Sequence, residues 1–108
     1  MPENYRVERW AGELGPDPAT LWRKMRDEGY SVYEWSDRPG TEYDLHSHDD
    51  EQSHWVLSGE LELLVNNVGV FSLGPGDRDF MPADTPHSAR VIGIDPVVYL
   101  IGSYRERA

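Results

Sequence analysis

The chain has 108 residues, enough for one domain around a single core and too few for two. It has no cysteine, so disulfides and thiolate metal ligands are excluded, and imidazole, carboxylate and amide groups are the ligands on offer. The net charge of −10 lies wholly between Tyr30 and Leu100, where thirteen acidic residues face three basic ones, so phosphate backbones and anionic membranes are poor partners.

No membrane span is legible, since the longest apolar run is Val97 to Ile101. The start Met1-Pro2-Glu3-Asn4 lacks the basic and apolar stretches of a signal peptide, so a soluble cytoplasmic protein is the expectation.

In chain order, residues 1–29 read as an N-terminal extension carrying one short helix. Asp17 can cap it, Pro18 suits its first position, Leu21, Trp22 and Met25 form an apolar stripe, and Gly29 supplies a stop. From residue 30 to 104 the chain reads as strands, rich in Val, Leu, Tyr and Trp and broken by turn residues. They are expected at Tyr30–Trp35, Tyr43–His48, Gln52–Leu57, Glu60–Val65, Val68–Leu73, Arg78–Met81, Pro86–Ile92 and Val97–Tyr104. About eight short strands at such spacing suggest an all-β, two-sheet jelly roll.

Three breaks explain how the sheets fold over. Ser58-Gly59 allows a tight hairpin through positive φ, Asn66-Asn67 tolerates the left-handed conformation of another, and Pro75-Gly76-Asp77 turns the chain again. Alternation predicts that Leu61, Leu63 and Val65 point inward. In the preceding strand Gln52, His54 and Val56 share one face, opposite Ser53, Trp55 and Leu57. Trp55 is thus expected to pack a sheet face or an interface, whereas Tyr33 and Trp35 could line a pocket.

His46 and His48 stand two apart, which on a strand turns both imidazoles to one side, as a metal needs. A third histidine, His87, follows in Pro82-Ala83-Asp84-Thr85-Pro86-His87. With Gly40, position 52 and Gly59 around the pair, and Gly76 and Pro82 before the third, the pattern resembles the two motifs of the cupin superfamily. It extends from about Gly40 to Val91.

The resemblance implies a cupin double-stranded β-helix, a jelly-roll barrel, with His46, His48, Gln52 and His87 around a divalent transition metal, whether Fe, Mn, Ni or Zn. It also implies a small-molecule ligand or substrate, and a homodimer that four tryptophans in so short a chain weakly support. Gln52 departs from the usual glutamate; its amide oxygen can still coordinate but brings no charge, leaving a more acidic bound water and a weaker hold on the metal. Asp49, Asp50 or Glu51 could supply a carboxylate, or His54 could complete a four-nitrogen site. Asp84 replaces a glycine whose backbone angles are often unusual, and aspartate tolerates these.

If the barrel is an enzyme of dioxygenase, isomerase or lyase type, His54 is the remaining histidine and, by elimination, the best internal proton carrier. The alternative is a non-catalytic binding or sensing module with the metal as anchor or staple. Such a fold hosts many chemistries, so the choice belongs to the site.

Overall fold

Period-two alternation between residues 30 and 104 resolves into two antiparallel sheets facing each other. The computed structural model describes residues 4–104. Its elements are β1 (Arg6–Glu8), α1 (Pro18–Asp27), β2 (Ser31–Asp37), β3 (Glu42–His46), β4 (Glu51–Ser58), β5 (Glu60–Val65), β6 (Gly69–Leu73), β7 (Arg78–Phe80), β8 (His87–Ile92) and β9 (Val97–Tyr104). One sheet has the order β1-β7-β4-β9-β2 and the other β3-β8-β5-β6. The all-β architecture with one short helix is as the sequence suggests.

Strand boundaries differ by a residue or two from the expected ones, and the larger difference is β1. This short strand pairs antiparallel with β7, Arg6 opposite Phe80 and Glu8 opposite Arg78. Arg6-Val7-Glu8 alternates but is too short a run to carry a strand signal of its own; pairing with the edge of β7 makes it a strand.

The turn residues behave as their chemistry demands. Asn67 has φ 63° and Asp84 φ 60°, the left-handed region in which Asn and Asp are the most tolerant side chains. Gly59, between β4 and β5, has φ 77°, and a Cβ there would lie 2.3 Å from the Pro96 carbonyl oxygen, so only glycine fits.

Helix α1 begins at Asp17, whose side chain accepts from the Thr20 backbone N–H at 3.0 Å, with Pro18 following. Leu21 and Met25, one turn apart, are buried with Tyr30, Trp55 and Leu100 on the outer face of the five-stranded sheet. Trp55 therefore faces away from the barrel, as alternation predicts, and serves core packing; its Nε1 donates to the Gly76 carbonyl at 2.8 Å.

Arg78, only 2 % exposed, lies in the same layer. Its guanidinium stacks over Trp55 and Phe80, Nη2 donates to Glu28 Oε1 at 2.5 Å and Nε to Ser53 Oγ at 2.8 Å. A buried cation that is paired and hydrogen-bonded avoids most of its desolvation penalty, and here it also ties the end of α1 to β4 and β7.

The main core lies between the sheets. Leu61, Leu63 and Val65 point inward as expected, and pack with Val56, Leu73, Val91, Val97 and Ile101. One end of this interior is apolar; at the other the inward positions turn polar, which is where the histidines lie.

Candidate metal centre

His46 ends β3 and His87 begins β8, and the two are directly paired across the ladder. That register, rather than the His-x-His spacing alone, brings the third histidine to the first two. His48 lies just past the end of β3 and is held by its backbone: its carbonyl accepts from the Asp84 N–H at 2.7 Å, so the left-handed turn at Asp84 clamps the loop carrying His48 onto the loop before His87. The ring centroids are 4.8 Å apart for His46 and His48, 4.3 Å for His46 and His87, and 5.2 Å for His48 and His87. One nitrogen from each ring lies within 4.8 Å of the others, near enough for one ion to gather all three.

Two of the rings have a defined tautomer. His46 Nδ1 lies 2.6 Å from the Asp44 carbonyl oxygen and His87 Nδ1 2.8 Å from that of Thr85. A carbonyl oxygen only accepts, so both Nδ1 atoms carry the proton and both Nε2 atoms keep their lone pairs, the arrangement that a metal-binding imidazole requires. The electrostatics agree. Burial, with the like rings of His46, His54 and His48 outweighing the Thr85 bond, pushes His87 down to about 4. Burial and His46 likewise lower His48. Both imidazoles are neutral at neutral pH and their lone pairs are available.

Gln52 enters from β4 and lines the same cavity of about 230 Å³ as the three histidines. Its Nε2 donates to Asp50 Oδ1 at 3.3 Å, leaving Oε1 as the atom able to meet a cation. The donor set of three imidazole nitrogens and one amide oxygen fits a borderline divalent ion. Of the carboxylates that might replace glutamate, Asp50 engages Gln52 and Glu51 accepts from Tyr30 Oη at 3.0 Å; neither joins the histidine group.

His54 takes a different role. It is buried one inward position further along β4, and its Nδ1 lies 2.9 Å from Asp79 Oδ1. The His54 backbone N–H donates to the same oxygen at 2.7 Å, and Tyr5 Oη donates to Asp79 Oδ2 at 2.9 Å. Asp79, wholly buried, is thus saturated with donors, and with Nδ1 committed to it, Nε2 is the ring nitrogen left for the cavity that His54 lines. Burial works to lower the His54 pKa, but the charge of Asp79 and its hydrogen bond prevail and raise it. His54 lies outside the group of three and does not make a four-nitrogen site.

Asp79 and Tyr5 escaped the reading of the sequence. The signal for Asp79 was available: in Arg78-Asp79-Phe80 alternation puts the aspartate on the face opposite its neighbours, an inward carboxylate that needs a buried partner. Tyr5 carried no such signal, because its place depends on β1 joining β7.

Residues 33–102 match the family model described as the cupin domain. The chain is a cupin. Over 51 residues this cupin is 39% identical to the dimethylsulfoniopropionate lyase DddQ of Ruegeria pomeroyi, a match that takes in 47% of the chain and 25% of the relative. The cupin thus spans about a quarter of the curated relative that it matches.

Among solved structures, a chain from the DMSP lyases RdDddP and RnDddQII superposes with a TM-score of 0.65 at 28% identity, covering 72% of this cupin and 40% of that chain. An uncharacterized conserved protein with a double-stranded β-helix domain from Klebsiella pneumoniae superposes at 0.63, also 28% identical, covering 73% and 66%. No helix among the described residues is long and apolar enough to cross a membrane.

Proposed function

We propose that this cupin is a divalent-metal enzyme of lyase type, acting on a small organic acid in the barrel. His46, His48, His87 and Gln52 Oε1 would hold the ion, one of Fe, Mn, Ni or Zn, and His54 would move the proton. The observation that carries the reading is the pairing of His46 with His87 while their Nδ1 atoms are bound to backbone carbonyls, which leaves both Nε2 lone pairs for one cation. The activity of the relatives matched over part of their length, dimethylsulfoniopropionate lyase, favours lyase over dioxygenase or isomerase chemistry.

A bound ion would supply Lewis acidity, drawing electron density from a carboxylate and so acidifying the adjacent C–H. This chain's residues do the rest. His54 Nε2 takes the proton from the carbon next to the carboxylate; the C–H electron pair becomes a carbon–carbon double bond as the bond to the leaving group breaks, and that group departs with its electrons. Asp79 steadies the imidazolium that forms, and Tyr5 Oη holds the second Asp79 oxygen so that the carboxylate stays aligned. Leu61, Leu63 and Ile101 line the cavity and keep bulk water from the base.

Elemental mass spectrometry of untagged protein purified without chelator, beside the His46→Ala/His87→Ala double variant, tests the centre. Close to one metal per chain, absent in the variant, is expected; equal metal in both would sink the reading. Turnover assays on dimethylsulfoniopropionate and other small carboxylates then test the reaction.

A second reading, a non-catalytic sensing module with the metal as anchor, is favoured by one observation: the neutral Gln52 in place of a carboxylate. Ligand binding without turnover in the metal-loaded protein would decide for it. A cytoplasmic homodimer accompanies either reading, the dimer supported by Leu64 and Val70, paired on the outer face of the four-stranded sheet and exposed. Sedimentation as a clean monomer at micromolar concentration would remove the dimer.

A further inference from the structure

At the open end of the cavity the walls become aromatic. Tyr33 and Trp35 project inward from β2, 48 % and 46 % exposed, with ring centroids 6.4 Å apart and planes at 87°. Two rings at a right angle form the corner of a box. Tyr43, from β3 in the opposite sheet, brings a third ring, and its hydroxyl lies 3.3 Å from Trp35 Nε1.

One carboxylate gathers the polar edges of Trp35 and Tyr43, together with that of Tyr99. Asp37 Oδ1 accepts from Tyr43 Oη at 2.8 Å and from Trp35 Nε1 at 3.1 Å, and Oδ2 accepts from Tyr99 Oη at 3.2 Å. This arrangement has two consequences. The Trp35 indole and the Tyr43 and Tyr99 phenols are occupied, so Trp35 and Tyr43 meet a ligand with their π faces, and Tyr33 adds its ring at a right angle to Trp35. A phenol or indole that donates to a carboxylate also carries more electron density in its ring, so those faces are more negative than in an unpaired aromatic. Burial and the nearby Asp37 charge raise the Tyr43 and Tyr99 pKa values, so both hydroxyls stay protonated as donors.

Among the described residues no lysine or arginine lines the cavity, and the surrounding segment is strongly acidic. Aromatic faces at right angles, two of the three rings donating to a fixed carboxylate, are what a soft, poorly hydrated cation needs. A neutral apolar group would gain nothing from Asp37. A primary ammonium would favour direct hydrogen bonds to carboxylate oxygens that here already have donors.

We propose that Tyr33, Trp35, Tyr43 and Asp37 form an onium subsite, so that the molecule entering this barrel carries a methylated ammonium or sulfonium head. The inference rests on the reading of the cavity as the substrate site and names its substrate class: a small zwitterion, onium at the mouth and carboxylate inward. It does not require the metal.

The test uses glycine betaine and 3,3-dimethylbutanoate, molecules of one shape and one carboxylate that differ by the positive charge. Both are titrated by NMR into the full chain, once treated with chelator and once loaded with zinc. Betaine is expected to bind roughly tenfold tighter than its neutral counterpart in both forms. The preference should vanish in Asp37→Asn and shrink several-fold in Tyr33→Leu; the second change is at an exposed position, so at least one variant keeps its fold.

Equal affinity for the two molecules, or binding of neither in both forms, overturns the subsite. A betaine preference in protein that takes up no zinc keeps the subsite and removes the metal reading. Stoichiometric zinc with no preference does the reverse.

Discussion

Histidine appears in two settings within one cavity, and the contrast separates their work. His46 and His87 donate their Nδ1–H groups to backbone carbonyls, neutral acceptors that fix the tautomer and carry no full charge to hold an imidazolium. His54 donates its Nδ1–H to the buried carboxylate of Asp79, which stabilises the charged ring as well as aligning it. The first arrangement leaves lone pairs available to a cation and the second favours the uptake of a proton at Nε2. The difference in partner chemistry thus suits identical side chains to two different tasks, the proposed ligands on one side and the proposed base on the other.

The contrast breaks most completely if the trio is removed. His46→Ala/His87→Ala should fall from near one metal per chain to near none, read by elemental mass spectrometry, while far-ultraviolet circular dichroism keeps its strand signature. His54→Asn should do the opposite: metal content unchanged, turnover down by roughly 10²- to 10⁴-fold, the range expected for a lost general base. Metal loss in this variant would merge the two settings into one.

Asp79→Asn sharpens the comparison on stability. It leaves His54 and Tyr5 a neutral partner in a wholly buried place, and should cost about 3 kcal/mol in urea unfolding with metal content intact. Tyr5→Phe deletes one donor to Asp79 and keeps the ring that packs on Phe71, so about 1 kcal/mol is expected from the same measurement.

The smallest effect belongs to a carboxylate outside both settings. Asp77 is partly buried, which favours its neutral form, but the Trp10 and Gly74 backbone N–H groups and Arg9 more than compensate and hold its pKa below the ordinary 3.8. A folded pKa below the unfolded one stabilises above the unfolded value, and that contribution fades as pH falls through the folded value. Asp77→Ala should therefore cost on the order of 1 kcal/mol near pH 7, and its deficit should shrink below pH 4. A deficit that stays constant with pH would assign the effect to packing.

Much of the site was legible because it is local. The His-x-His pair, the turn residues at Gly59 and Asn67, the aspartate tolerated at position 84 and the Asp17 cap are each read from a few neighbouring residues. That Gln52 and His54 share a face followed from period two within a single strand, and that the face points inward from the resemblance to the cupin motif. The Asp79 carboxylate was half legible: its face could be read, but not its partner 25 positions away.

What the sequence by itself determined, then, is whatever backbone geometry dictates over short spans: strands, turns, the helix start, and which face each side chain takes. Tertiary structure alone decided which faces meet. The pairing of β3 with β8 sets His46 against His87, and β1 on β7 carries Tyr5 to Asp79 across 74 positions. Asp37 collects rings from both sheets. Such contacts depend on register between distant strands, and register is set by the core as a whole, so no local pattern records it.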